Sequence, residues 1–455
     1  MDVINDLVRY VVKTKYEDIP GKVVNHDKNI LLDSLGCILA GSSAPAIKEI
    51  VEVVREMGGK EESSVMVFGG KVPSMMAALA NASIAQARDF DDTHDAAILH
   101  PHASVLSTAL AVSEATGTSG KEFLTAVILG VEVECRIGVA IKTALSFTRT
   151  GTLGYFGATA AAGKLLGLSQ DELVNAFGIV YAQVSTTLQS VIDGALVKRM
   201  HPGFAGKAAI LSCKLARKGI TGCKEVLEGE YGYLNLYEKG DYDREQIIDG
   251  LGKRYEVNNL SVKPYPCARD MHGALDIAVE LFQEGKVDVD RIKEVVITMP
   301  KAAFDVSGKP YEAISGHEVV EAILNGAYCT ATALVYGRVE IGNFTPDGVK
   351  DPKVIDLAKK TKTILDPKLP VKGLVPMSVK ITYEDGAVIE RTTEVLKGDP
   401  ANPLSADELE EKFRLCAKYA VVPFEEERLL GIMEEVKQIE ERPNTDRLVS
   451  LMIPN

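Results

Sequence analysis

Two stretches limit the fold most. Asn29-Ile30-Leu31-Leu32-Asp33-Ser34-Leu35-Gly36-Cys37-Ile38-Leu39-Ala40 and Ala103-Ser104-Val105-Leu106-Ser107-Thr108-Ala109-Leu110-Ala111-Val112 are apolar almost all round, so the helices they predict must be enclosed by other helices. Small residues crowd again at Gly157-Ala158-Thr159-Ala160-Ala161-Ala162-Gly163-Lys164, where little side-chain bulk lets helix axes approach closely. With 455 residues and 46% apolar content, the chain can bury a large core and is long enough for two domains. The net charge of -13 argues against holding nucleic acid or an anionic membrane by bulk electrostatics, so an anionic ligand must find a local cluster of cations. No apolar run is long enough to cross a bilayer. The seven cysteines form no CxxC pair and no zinc or iron-sulfur spacing, and the chain opens with the acidic Met1-Asp2-Val3-Ile4-Asn5-Asp6. Both features predict a cytoplasmic protein with reduced, mostly buried thiols and no signal peptide.

Near residue 259 the pattern changes from helical to mixed. Strands are predicted at Lys293-Glu294-Val295-Val296-Ile297-Thr298-Met299, at Ser378-Val379-Lys380-Ile381-Thr382-Tyr383 and, after a Glu384-Asp385-Gly386 turn, over Val388 to Val395. The last two read as a hairpin. Helical stretches from His272 to Glu284 and from Val319 to Tyr336 lie between them. After Gly398-Asp399-Pro400, Ser405-Ala406-Asp407-Glu408 has the form of a capping box that starts a return to helix. The expected fold class is therefore mainly α: a large all-helical domain over 1–258, completed by 404–455, and a smaller α+β domain over 259–403.

Five of the seven histidines sit in three polar stretches: Ala87-Arg88-Asp89-Phe90-Asp91-Asp92-Thr93-His94 running on to His100-Pro101-His102, then Val197-Lys198-Arg199-Met200-His201-Pro202-Gly203, then Val262-Lys263-Pro264-Tyr265-Pro266-Cys267-Ala268-Arg269-Asp270-Met271-His272. Each joins histidine to a proline-marked turn, the kind of place where side chains converge on a cleft. Lys198, Arg199, Lys263 and Arg269 would give a cationic patch suited to a substrate with several carboxylates. Plainer readings stand beside these: the aspartates and Thr93 could cap a helix, Lys198 and Arg199 could answer a helix dipole, and Lys263-Pro264-Tyr265-Pro266 could be a stiff linker. No HExxH spacing and no Gly-centred calcium loop is present, so no metal site is assigned. Gly151-Thr152-Leu153-Gly154-Tyr155-Phe156-Gly157 lacks the lysine-hydroxyl pair of a phosphate loop and is read as close helix packing.

Taken in order, ARDFDDTH with its following HP, KRMHPGFAG and KPYPCARDMH resemble the MmgE/PrpD family over nearly the whole chain. Gly154 to Leu168 and Leu227-Glu228-Gly229 add to the likeness. The resemblance implies a homodimer of two-domain subunits, each a helical domain plus an α+β lid with the active site between them. It also implies action on small di- or tricarboxylates without metal or organic cofactor, as in 2-methylcitrate dehydratase, cis-aconitate decarboxylase and iminodisuccinate epimerase. Carried over, the motif residues are Asp89, Thr93, His100, Lys198, Lys263 and Tyr328. The chain departs from the pattern at Ser146-Phe147-Thr148-Arg149-Thr150, where Thr148 stands at a position that dehydratase and decarboxylase members usually fill with histidine and Arg149 at a proline position.

All three family reactions pass through a carbanion-like centre beside a carboxylate, which requires positive charge for the developing enolate and a base in reach. His100 is the expected base, with Asp89 as its partner, and Lys198 or Tyr328 serves the departing group. Thr93, Thr148, Arg149, Arg199, His201, Lys263, Arg269 and His272 are the expected substrate contacts, with His201 and His272 as further proton-transfer candidates. The expected activity is a carbon-oxygen lyase of the 2-methylcitrate dehydratase kind on a small hydroxy-polycarboxylate. An epimerase of a small dicarboxylate and a non-catalytic carboxylate-binding protein are the alternatives.

Overall fold

The computed structural model describes residues 2–311, 318–371 and 373–454; His317 lies outside them. Packing divides the chain into two compact units: Met1–Ala87 with Asp91–Leu260 and Ala406–Asn455, and Arg88–Phe90 with Ser261–Ser405.

The first unit is helical, as its apolar stretches require. In chain order its helices are α1 (Ile4–Lys13), α2 (Gly21–Gly41), α3 (Ile47–Glu56), α4 (Ser74–Gln86), α5 (Pro101–Thr116), α6 (Gly120–Ala140), α7 (Arg149–Leu165), α8 (Gln170–Tyr181), α9 (Gln189–Ile192), α10 (His201–Arg217), α11 (Tyr233–Leu236) and α12 (Arg244–Ile248). Two-residue strands β1 (Ser63–Ser64) and β2 (Lys71–Val72) pair antiparallel, and β3 (Thr93–His94) and β4 (Leu260–Ser261) are equally short. Local chemistry sets the helix ends. Pro101 opens α5 with a preset φ, and Gly117 closes it at φ 65°. Ser119 and Glu122 form a capping box on α6.

Helix α7 packs against α5, α6 and α10. Its glycines make that possible: a Cβ on Gly157 would lie 2.6 Å from Glu134 Oε2, 2.9 Å from Glu134 Cβ and 3.0 Å from the Gly130 carbonyl, all on α6. The glycine-rich stretch is thus a helix-crossing surface.

The second unit is α+β. It contains α13 (His272–Gln283), β5 (Ile292–Met299), α14 (Lys301–Ser307), α15 (Glu318–Ile323), α16 (Gly326–Tyr336), α17 (Pro352–Lys359), β6 (Thr361–Leu365), β7 (Met377–Tyr383) and β8 (Val388–Thr393). The sheet order is β6-β5-β7-β8, parallel between β5 and β6 and antiparallel elsewhere. Residues Val295, Ile297, Val379 and Ile381 alternate onto the covered face and join Leu275, Ala278 and Leu281 of α13 in one core. The stretch predicted as one helix from Val319 to Tyr336 is two. Asn325 accepts the Tyr328 N–H at 2.9 Å and caps a new helix, because an Asn-Gly pair offers a cap and a turn in place of continued helix.

The chain then returns to the helical unit through α18 (Ala406–Lys418), α19 (Glu426–Lys437) and α20 (Asp446–Leu451). Lys412 of α18 reaches Asp33 of α2, and both are buried.

Candidate active site

In the helical unit the candidate residues gather at the N-terminal ends of helices, where backbone N–H groups lack helical partners. His100 immediately precedes α5, Thr148 immediately precedes α7, and His201 opens α10. Lys198 and Arg199 lie on the single 3-10 turn Leu196–Met200.

His100 is half-buried and is reached through a tight turn. His94 N–H donates to the Leu99 carbonyl at 2.9 Å, and Ile98 N–H donates to the His94 carbonyl at 2.8 Å. Ile98 adopts φ 57°, a conformation that a β-branched residue holds only under constraint from its surroundings. The turn ends with His100 N–H on Thr150 Oγ1 at 3.0 Å and His100 Nδ1 on the Asp92 carbonyl at 2.8 Å. A carbonyl only accepts, so Nδ1 carries the proton and Nε2 is the basic nitrogen. The partner that fixes this tautomer is therefore a main-chain carbonyl and not the Asp89 carboxylate expected from the sequence. Thr93 is buried, with its hydroxyl 3.4 Å from the Leu99 carbonyl.

The other two histidines of the quoted stretch serve the unit's interior. His94 Nε2 pairs with Glu256 at 3.1 Å, and its Nδ1 accepts the Ala97 N–H. His102 is fully buried between Asp92, at 3.0 Å from Nδ1, and Asp27, at 3.2 Å from Nε2. Burial alone would lower its pKa, but the two carboxylates overcome that and hold it at about 10, so it is an imidazolium.

Thr148 belongs to a chain of polar groups. Its hydroxyl donates to Thr186 Oγ1 at 2.9 Å, and its oxygen lies 3.1 Å from His201 Nδ1, while His201 Nε2 lies 3.3 Å from Ser190 Oγ. Burial, with the nearby charge of Lys198, pushes the His201 pKa down to about 4, so this ring stays neutral at ordinary pH. Two arginines expected as substrate contacts also bond to backbone. Arg149 donates to the carbonyls of Ala97 and Thr143, at 3.2 and 2.8 Å, and Arg199 donates to that of Pro45.

In the second unit, Lys263 is fully buried, with Nζ donating to the Asp89 carbonyl at 2.8 Å and lying 3.7 Å from the Asp89 carboxylate. Asp89 holds φ 53°, which aspartate tolerates better than most residues. Arg269 donates to His272 Nδ1 at 3.2 Å and to the Lys397 carbonyl at 2.8 Å. Because arginine only donates, His272 must carry its proton on Nε2, which faces the Cys267 carbonyl at 3.3 Å. Burial, then the charges of Arg269 and Lys263, drive the His272 pKa far down. His272 is thus a neutral ring that orients Arg269, and both its nitrogens are occupied. Tyr328 does not offer a free phenol: its hydroxyl donates to the Asn343 carbonyl at 2.8 Å and approaches that of Gly348 at 3.3 Å.

Asp27 and Asp92 are the site residues that sequence reasoning missed in role. Asp27 gave no clear signal, because it sits in the polar first half of α2 among Asn25, His26, Lys28 and Asn29. Among the described residues no three His, Cys, Asp or Glu side chains group as a metal would need, and no helix is long and apolar enough to cross a membrane.

A helical unit, an α+β unit, and Asp/His/Lys clusters in both define a class of two-part proteins with buried cations beside a histidine of fixed tautomer. Comparison gives the class its name. The sequence model of the MmgE/PrpD N-terminal domain matches residues 5–245, and that of the MmgE/PrpD C-terminal domain matches residues 265–438. The chain belongs to the MmgE/PrpD family. It is 30% identical over 481 residues to a protein of Aspergillus oryzae named cis-aconitate decarboxylase-like protein oryM, covering 99% of this chain and 97% of that one. It is 25% identical over 446 residues to human cis-aconitate decarboxylase, covering 94% and 90%. To the 2-methylcitrate dehydratase of Cupriavidus necator it is 26% identical over 492 residues, covering 98% and 96%.

Proposed function

We propose that the protein is a lyase acting on a small polycarboxylate, and that its reaction is loss of water from a hydroxy-polycarboxylate. The observation that carries this reading is His100, whose Nδ1–H is committed to the Asp92 carbonyl and whose Nε2 is thereby the basic nitrogen. In this mechanism Nε2 takes the proton from the carbon next to a carboxylate, and the electron pair enters that carboxylate as an enolate. Lys198, in the same unit as His100, supplies positive charge that stabilises it. The pair then returns to form a carbon-carbon double bond as the hydroxyl leaves, and the imidazolium on His100 hands its proton to the departing oxygen. Products are an alkene and water, and His100 is neutral again.

Other residues take supporting roles in this reading. Asp89 anchors Lys263, Thr93 donates to substrate, and the chain from Thr148 to His201 lines the substrate's path. With Tyr328 hydrogen-bonded to two carbonyls, His100 itself is the acid for the leaving group. Membership of the family and the names of its relatives support the lyase class. A second reading, decarboxylation, is favoured by the 30% identity to a protein named as cis-aconitate decarboxylase-like. It needs no acid for a hydroxyl: a carbon-carbon bond breaks, carbon dioxide leaves, and the carbanion takes a proton that His100 Nε2 has first taken up from water. The protein is further proposed to be a cytoplasmic homodimer, which light scattering on a sizing column tests.

The deciding experiment is proton NMR in deuterium oxide with citrate, 2-methylcitrate, malate, cis-aconitate and aspartate-derived dicarboxylates. Loss of water from a hydroxy acid, absent with His100→Ala, is the expected result. Release of carbon dioxide selects the second reading, and α-proton exchange with an epimer as product selects an epimerase. Turnover unchanged in His100→Ala overturns the proposed role of His100.

A further inference from the structure

Asp92 faces two histidines at once. Its main-chain carbonyl accepts from His100 Nδ1 at 2.8 Å, while its carboxylate binds His102 Nδ1 at 3.0 Å. His102 Nε2 in turn lies 3.2 Å from Asp27, on a different helix, α2. Asp27, Asp92 and His102 all have their side chains sealed from solvent. Each carboxylate also has one buried oxygen, Asp27 Oδ2 and Asp92 Oδ1, without a hydrogen-bond partner among the described residues.

From this geometry we infer that His102 is a positioning residue for proton transfer, and that the Asp27–His102–Asp92 bridge clamps the peptide whose carbonyl selects the Nδ1–H tautomer of His100. The inference rests on the role proposed for His100. Its physical basis is that a buried carboxylate sharply restricts where it can sit: Asp92 stays where its charge meets the imidazolium, and its own backbone is carried with it. The carbonyl is two bonds from the Asp92 Cα, so a carboxylate pinned against α2 and α5 leaves the carbonyl little freedom. His102 is one residue into α5 from Pro101, so the same helix start fixes both histidines. Other acids approach the bridge: Asp33 on α2, Glu134 on α6, and Asp91 beside Asp92. His26 lies on the α2 side and feels the His102 charge. His102 alone donates to both Asp27 and Asp92.

A merely structural His102 would affect stability and nothing else. A positioning His102 sets which nitrogen of His100 is protonated, and this can be read without any substrate. The full chain is labelled with 15N-histidine, and His100 is assigned by its loss in His100→Asn. In the parent, His100 is expected with a protonated Nδ1 and a bare Nε2 at pH 8. In His102→Gln, which keeps a hydrogen-bonding side chain but no charge, His100 should move to a mixture of tautomers, and kcat should fall by about 100-fold with KM little changed. Asp27→Asn, nearly isosteric, should move both readouts in the same direction by less. A parent His100 protonated on Nε2 overturns the inference before any variant is made. A folded His102→Gln or Asp27→Asn with an unmoved His100 tautomer overturns it as well. If the tautomer shifts as expected but His100→Ala still turns over substrate, the positioning inference survives and the proposed role of His100 falls.

Discussion

Replacing Gly157 by alanine sets two effects of opposite sign against each other. In a helix interior alanine is favoured over glycine by about 1 kcal/mol, so an isolated α7 would gain. Against this, the new methyl would sit 2.9 Å from Glu134 Cβ and 3.0 Å from the Gly130 carbonyl, both part of the trunk of α6 and unable to swing aside. Glu134 Oε2, at 2.6 Å, is itself held by Ser104. Overpacking of this kind costs about 1–3 kcal/mol, and immovable neighbours put Gly157 in the upper half of that range. The net expectation is a loss of about 1–2 kcal/mol, or a fall in Tm of roughly 1.5–3 °C for the helical unit. Gly21, with nothing within 4 Å of its would-be Cβ, is the control, and Gly21→Ala should be neutral or slightly stabilising. Calorimetry on both variants decides the matter. A rise in Tm for Gly157→Ala would refute the argument that close helix approach dictates this glycine.

The pH dependence of stability follows from His102. Its folded pKa of about 10 lies above the roughly 6.5 of an unfolded histidine, so its contribution is complete below pH 6.5 and drains away as pH rises towards 10. Asp33 and Glu132, pushed up by burial to about 6 and about 7, finish titrating near the start of that window. Urea midpoints should fall between pH 7.5 and 9.5 in the parent and fall less in His102→Gln; equal slopes would count against the imidazolium. Lys412→Met strands the buried Asp33 carboxylate and should destabilise by about 3–5 kcal/mol in urea titrations, with Asp33→Asn added in the same chain recovering part of the loss. Arg269→Lys keeps the charge but removes the planar guanidinium whose Nη1 donates to both His272 and the Lys397 carbonyl; once a substrate is known, KM should rise about tenfold while Tm changes little.

The elements that the sequence disclosed were those with local patterns. The all-round apolar runs fall inside α2 and α5, and the Glu384-Asp385-Gly386 turn joins β7 to β8 in the register of a hairpin. Strand β6 escaped notice because its pairing with β5 is parallel and more than 60 residues distant, so no hairpin partner lies across the Asp366-Pro367 turn that follows it. The site divides along the same line. That histidines, aspartates and lysines cluster at helix starts was legible in three short motifs. What each one bonds to was not, because the partners are settled by packing: Asp27 lies 75 residues before His102, and Glu256 lies 162 residues after His94. Arg149 and Arg199 read as exposed charges in the sequence, yet both are buried and each donates to a main-chain carbonyl, that of Thr143 or Pro45.

The return of the chain into the helical unit also bears on how the protein is made. Helix α2 leaves the ribosome before the α+β unit, and the α18 helix that packs on it and brings Lys412 to Asp33 leaves after that unit. Until residues 406–418 emerge, a nascent chain displays the apolar flank of α2 and a carboxylate with no counter-ion, for as long as the whole α+β unit takes to be translated. The second unit, whose strands all lie within 261–405, has no such wait and can fold as it appears. For α2 and α18 the final packing therefore waits until the α+β unit between them has been made.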